Sequence, residues 1–182
     1  MNIILALLQY VMNNILLEGK PGIGKTTLLR TIAERISYLG IGGFYTQEIR
    51  ENSKRVGFCI DTFSGYSGVL SHVAFNTGPR VGKYRVDVPS FEKIGVYGLE
   101  RDLFESRVIL IDEIGKMELF SERFKEVLLR CFDSDKYVIA TVMSRPHLFV
   151  DLLKDRPDVK LLKVTLENRN QLALTIIKEI IE

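Results

Sequence analysis

Gly19-Lys20-Pro21-Gly22-Ile23-Gly24-Lys25-Thr26 fills every fixed position of G-x-x-x-x-G-K-[ST], a phosphate-binding loop. The apolar run Ile15-Leu16-Leu17 precedes it, and Leu28, Leu29, Ile32 and Ile36 follow at helical spacing, so the strand, loop, helix order that the motif requires is present. Gly22 and Gly24 can take positive φ and bring the backbone close to an anion, with successive N–H groups and the start of the helix facing it. Lys20, Pro21, Ile23 and Thr27 complete the stretch around the phosphates. Lys25 supplies a point charge to the β and γ phosphates, and Thr26 offers a hydroxyl to a Mg²⁺ ion bridging them. The loop implies a nucleoside tri- or diphosphate as ligand and asks for one further carboxylate to hold the metal.

Val108-Ile109-Leu110-Ile111 leads to that carboxylate. It is a continuous, largely β-branched apolar run of the kind shown by a parallel strand covered on both faces, and it ends in Asp112-Glu113. Read as a Walker B strand, it gives Asp112 to Mg²⁺ and leaves Glu113 to orient and polarise an attacking water.

Composition sets the frame around these motifs. The 182 residues are 46% hydrophobic and 26% charged, which suits one soluble globular domain with a sizeable core. A formal net charge of +2 gives no bulk electrostatic argument for nucleic acid or an acidic membrane. Cys59 and Cys131 lack metal-ligand spacing, and His72 and His147 stand alone, so free thiols in a reducing, cytoplasmic setting are expected. Residues 1–17 are apolar, yet they lack a basic lead and a small-residue cleavage site, and Gln9, Asn13 and Asn14 interrupt them. Neither a signal peptide nor a membrane span is expected. Met12 offers a second start, which makes residues 1–11 an N-terminal extension or a start-site artefact and 12–182 a single domain.

Periodicity alternates along the chain as in an α/β domain. After a helix over about 25–38 and a break at Gly40-Ile41-Gly42-Gly43, residues 44–50 read as a strand, 51–54 as a turn and 55–63 as its hairpin partner. A short strand over 69–75 follows, then a weaker helix over 90–104 with Gly95 and Gly98 inside it. Ser121 is placed to cap a helix over 122–131, residues 136–142 form a strand, and Pro146 suits the first turn of a helix reaching 154. The last strand spans 159–165, with Thr165 as the cap of a final helix whose apolar side carries Leu166, Leu172, Ile176, Ile177 and Ile180.

Tandem acids at the end of the 108–111 strand argue for the P-loop class in which an extra strand separates the loop strand from the Walker B strand, with 136–142 as the insert. The expected fold is an α/β P-loop NTPase, a RecA-like three-layer sandwich with a mostly parallel central sheet and an antiparallel hairpin extension. Thr141 or Ser144, at the end of the insert, then point at the γ phosphate as sensors.

Four strings carry a family resemblance: the loop through Leu28, Gly43-Phe44-Tyr45-Thr46-Gln47-Glu48-Ile49-Arg50, Val81-Gly82-Lys83-Tyr84-Arg85-Val86, and Ile111-Asp112-Glu113-Ile114-Gly115-Lys116-Met117-Glu118-Leu119. Together, from Met12 onward, they resemble the small nucleoside-triphosphatases of thermophiles and their animal relatives, the cancer-related nucleoside-triphosphatases. The resemblance implies Mg²⁺-dependent hydrolysis of the β–γ bond of several nucleoside triphosphates (ATP, GTP, CTP, UTP).

No N-K-x-D guanine-reading motif is present, and Asn168 and Arg169 are candidates for contacting the base. Lys116, three residues after Glu113, is placed to swing over the triphosphate as a catalytic cation beside Lys25 and Glu113. Arg50, Lys83 and Arg85 are candidates for phosphate or acceptor contacts. Two other readings stay open: a nucleotide or small-molecule kinase in which Glu113 activates an acceptor hydroxyl, and a nucleotide-dependent regulatory module with slow hydrolysis. A monomer or weak oligomer is expected, without nucleic-acid or membrane partners.

Overall fold

The computed structural model describes residues 13–182; the expected extension over 1–11 lies outside them. The parallel half of the sheet is built from β1 (Asn14–Glu18), β2 (Ile41–Glu51), β7 (Val108–Ile114), β8 (Tyr137–Val142) and β9 (Val159–Lys163). The remaining strands are β3 (Lys54–Thr62), β4 (Ser67–His72), β5 (Arg80–Val81) and β6 (Tyr84–Val86). All nine form one sheet in the order β5-β6-β4-β3-β2-β7-β8-β1-β9. Pairings from β2 to β9 are parallel and those from β2 to β5 antiparallel. β8 lies between β1 and β7, as the tandem acids imply.

Period-two alternation sorts the buried strands into two cores. Ile15, Leu17, Val108, Leu110 and Ile139 face α1 (Lys25–Ile36), whose Leu28, Leu29 and Ile32 pack with Ala173, Ile176 and Ile180 of α6 (Arg169–Ile181). On the other face Leu16, Ile109, Ile111 and Ala140 meet α3 (Tyr97–Glu105), α4 (Glu122–Phe132) and α5 (Leu148–Lys154). At its centre the rings of Phe44, Phe91 and Phe124 lie 5.2 to 6.0 Å apart, all fully buried. Truncating a phenylalanine at such a site costs about 3–5 kcal/mol. The three layers follow from this two-sided burial.

Where the structure departs from the sequence reading, backbone contacts explain it. The break at 40–43 is already strand: β2 begins at Ile41 and pairs in parallel with Val108 to Ile111. Gly43 has φ 100°, and a Cβ there would run into the Leu110 carbonyl, so the glycine permits a close strand approach. The antiparallel extension holds four strands, because the short runs at β5 and β6 give too little periodicity to read. Its β2–β3 turn is tight, with Asn52 and Ser53 both at positive φ.

The helix expected over 90–104 is broken into α2 (Val88–Phe91), a π turn (Glu92–Val96) and α3, and starts earlier because the Asp87 carboxylate accepts from the Ser90 N–H. Gly95 lies in that π turn because a Cβ would stand 2.5 Å from Ile60 Cδ1. Ser121 caps α4 as expected, accepting from Phe124 N–H at 3.0 Å. Pro146 precedes α5, which begins at Leu148. Thr165 caps only the turn before α6: its Oγ1 accepts from Asn168 N–H, the helix starts at Arg169, and Leu166 is exposed instead of apolar-packed. No helix among the described residues is long and apolar enough to cross a membrane.

Candidate active site

The phosphate loop leaves β1 at Glu18 and enters α1 at Lys25, with Gly22 at φ 76° and Gly24 at φ 98°. Those angles are strained for residues with a Cβ, which is why glycine occupies both. Gly24 has a second constraint, since a Cβ there would lie 2.7 Å from Nη1 of Arg169. Arg169 Nη1 donates to the Ile23 carbonyl at 3.1 Å, so the first residue of α6 braces the loop from behind. Asn168 is likewise engaged: its Oδ1 accepts from Thr165 N–H and its Nδ2 donates to the Lys163 carbonyl. Both candidates for base contact therefore hold backbone.

Lys25 curls into the loop and donates to the Gly19 carbonyl at 2.9 Å and the Lys20 carbonyl at 3.5 Å. Thr26, one residue on, donates from Oγ1 to Oδ2 of Asp112 at 2.7 Å. The other Asp112 oxygen accepts from Thr141 Oγ1 at 3.0 Å. Thr141 thus orients the carboxylate from β8, and Ser144, whose Oγ donates to the Gly19 carbonyl at 3.1 Å, ties the loop to the end of the same strand. Neither hydroxyl is turned out as a sensor in this form. Burial drives the Asp112 carboxyl above its usual range, while the Thr26 and Thr141 hydroxyls, the Thr46 N–H and the charge of Lys25 pull the other way. A buried, ion-pair-free carboxylate beside a threonine hydroxyl is the oxygen donor pair that a hard divalent cation takes, with waters and phosphates filling its other positions. No cage of three or more His, Cys, Asp or Glu exists among the described residues, so any metal here relies on ligand oxygens.

Glu113 has φ 106°, far from ordinary strand geometry, and the β7–β8 register shifts between Ile111 and Ile114. Held strain of this kind costs about 1–3 kcal/mol and tends to mark working residues. The bulge turns Glu113 outward, so that its side chain is exposed while Asp112 and Ile114 stay buried. Even so, the surrounding protein desolvates it enough to raise its carboxyl, with the charge of Asp112 adding and that of Lys25 opposing.

Glu118, which sequence reading did not single out, is the unexpected member. It is 4% exposed, accepts from the Gly115 N–H at 3.2 Å, and its Oε2 and Glu113 Oε1 flank the place where a Gly115 Cβ would stand, at 3.0 and 2.9 Å. Gly115 is thus the gap through which the two carboxyls approach. Burial pushes Glu118 well up, and the neighbouring Glu113 and Asp112 charges push it further. Below the ordinary glutamate range folded and unfolded chains are both protonated there. As pH rises the unfolded chain ionises first, so stability is drained until the folded carboxyl also ionises. Glu118→Gln keeps the acceptor for Gly115 and is expected to melt no lower than the parent at pH 7–8, with the two converging near pH 4. Glu118→Ala orphans that N–H and should cost about 1–3 kcal/mol. A glutamine variant that loses stability specifically at pH 8 would show that Glu118 is ionised and held.

Lys116 is exposed on the turn after Gly115 and has no ion pair or hydrogen bond among the described residues. Arg50 is taken by Glu48 and the Ser53 carbonyl, Lys83 by the Arg55 carbonyl and Arg85 by the Gly78 carbonyl. β6, which carries Arg85, stands six places from β1 in the sheet, on the order of 29 Å at roughly 4.8 Å per strand. Arg85 and the adjacent Lys83 therefore belong to the antiparallel extension and not to the phosphate loop.

Known proteins resemble this chain over nearly its whole length. The family described as NTPase matches residues 14–177. The nucleoside-triphosphatase THEP1 of Thermotoga maritima is 46% identical over 158 residues, covering 87% of this chain and 90% of the relative. The human cancer-related nucleoside-triphosphatase is 38% identical, covering 90% of this chain and 94% of the relative. The crystal structure of THEP1 from the hyperthermophile Aquifex aeolicus superposes with a TM-score of 0.85 at 36% identity, covering 93% and 99% of the two chains. A phosphate loop braced by α6, a buried aspartate on the loop's threonine and near end-to-end similarity place this chain in the NTPase family, among the nucleoside-triphosphatases.

Proposed function

We propose that the protein hydrolyses the β–γ bond of several nucleoside triphosphates, ATP, GTP, CTP and UTP among them, to the diphosphate and phosphate with Mg²⁺. The observation that carries this reading is the Thr26–Asp112 contact beneath Lys25, with Glu113 turned outward by the strained bulge next to it. Thr26 and Asp112 would hold the metal, which supplies charge neutralisation between the phosphates when bound. Lys25 leaves its loop carbonyls for the β and γ phosphates. The N–H groups of Gly22, Gly24, Lys25, Thr26 and Thr27 cradle the same anion. Glu113, raised by its surroundings and reachable by solvent, accepts the proton of the attacking water as that water bonds to the γ phosphorus. Thr141 keeps Asp112 in place throughout.

Lys116 supplies the transition-state cation in this reading. An arginine finger gives about 10³ to 10⁵ in rate, and a flexible ammonium without the planar fork gives less. Turnover on the order of 10⁻² s⁻¹ is therefore expected, as for a GTPase with its arginine in cis. Lys116→Ala is expected to lower turnover with little change in nucleotide affinity, and specific activity should not depend on protein concentration. An activity that climbs steeply on concentration would assign the cation to a neighbouring copy. The overall reading is tested by phosphate release from each triphosphate with Mg²⁺ and no acceptor; diphosphate formed only when a hydroxyl compound is added, with the phosphoryl group recovered on that compound and not as free phosphate, would make the protein a phosphotransferase.

A further inference from the structure

A groove of about 640 Å³ lies between the β3–β4 turn, the π turn, the start of α3 and the N-terminus of α4, and no residue of the phosphate loop or of Asp112-Glu113 lines it. Its volume falls in the range of small-molecule sites. Tyr66 and Tyr97 form walls and are 60% and 61% exposed, leaving much of their aromatic surface open. Ile94 and the bare backbone of Gly98 contribute to the lining. The π turn that carries Lys93 and Ile94 exists because Gly95 seats against Ile60 and Phe91, and such turns recur at functional sites.

Among the residues that line the groove cations outnumber carboxylates, while Glu100, Asp102 and Glu105, outside the lining, hold the two arginines from behind. Lys93, Arg101 and Arg123 line it against one carboxylate, Glu92, whose Oε1 accepts from the Ser121 hydroxyl at 2.6 Å and so faces α4. Arg101 is fixed by Asp102 at 2.9 Å and Glu105 at 3.2 Å, with its guanidinium 5.8 Å from the Tyr66 ring centre. Arg123 is fixed by Glu100. Both guanidiniums are pre-placed, and Lys93 is exposed and in no ion pair among the described residues. Flat aromatic walls favour a π face, and the cations favour an anion.

We propose that this groove is a second binding site, for a planar aromatic anion of about nucleotide size, with its ring against Tyr66 and Tyr97 and its charged group at Lys93, Arg101 and Arg123. The site is independent of the phosphate loop. Titration of the full chain with 8-anilinonaphthalene-1-sulfonate, an aromatic anion, should give saturable one-to-one fluorescence that persists in Lys25→Ala. Tyr97→Ala should weaken it about tenfold, the scale of one lost stacking partner, and Lys93→Glu should weaken it severalfold. Both residues are exposed, so neither substitution threatens the fold. Competition by AMP would identify the ligand class as a nucleotide, and competition by 1-naphthoate without AMP would identify an aromatic carboxylate; each supports the site. Probe binding that is absent, that disappears in Lys25→Ala, or that both groove substitutions leave unchanged overturns it.

Discussion

Lys25→Ala is expected to lose nucleotide affinity and turnover together. Its ammonium is held among the loop's own carbonyls, 2.9 Å from that of Gly19, at the place where phosphate oxygens would take over as acceptors. Removing one partner of a desolvated charge contact costs about 2–5 kcal/mol, which places the loss of affinity on the order of 10²-fold or more. Lys20 is exposed, and Arg169 is committed to the Ile23 carbonyl, so neither stands ready to replace it. The loop itself should survive, since Gly22, Gly24 and the Arg169 brace are untouched. Calorimetric titration with nucleotide and a phosphate-release assay check both halves. Hydrolysis at the parental rate would void the phosphate-loop assignment.

Glu113→Gln should separate binding from chemistry. Glutamine matches the size and hydrogen-bonding reach of the side chain, so the bulge at φ 106° and the Thr26–Asp112 contact remain. The carboxylate base is lost, and hydrolysis should fall about 10²-fold or more while nucleotide still binds. The parent carries a further signature. Desolvation by the surrounding protein and the Asp112 charge raise the Glu113 carboxyl, and a base works only when ionised, so the rate should fall as pH drops through a value above the ordinary glutamate range. The glutamine variant should lack that limb of the profile. Equal losses in affinity and rate would instead assign Glu113 to the metal or to structure.

Sequence reading reached the parts of the site whose spacing is local. Gly22, Gly24, Lys25 and Thr26 lie within one loop, and the Asp112-Glu113 pair ends one apolar run, so a single strand and turn suffices to present each. The parallel order with β8 between β1 and β7 was also legible, because hydrophobic runs covered on both faces carry a strong signal and tandem acids indicate the insert. Helix ends and short strands were less so. β5 and β6 are two and three residues long, too short for a period, and the π turn at Glu92–Val96 seats Gly95 against Ile60 of β3, a contact made only when helix and sheet pack.

The amino-acid sequence by itself determined the phosphate-loop motif, the acid pair that ends the 108–111 run and the α/β order, since each depends on residues a few positions apart and on backbone rules that hold locally. Only tertiary structure decided how those pieces are tuned. Thr141 comes 29 residues after Asp112 to fix its carboxylate, and Arg169 comes 146 residues after Ile23 to brace the loop. Glu118 turns back through the gap at Gly115 to meet Glu113, and Tyr66, Lys93, Tyr97 and Arg123 gather around one groove. Contacts of that kind depend on how sheet and helices pack, and the desolvation that raises the carboxyls of Asp112, Glu113 and Glu118 exists only once they have packed.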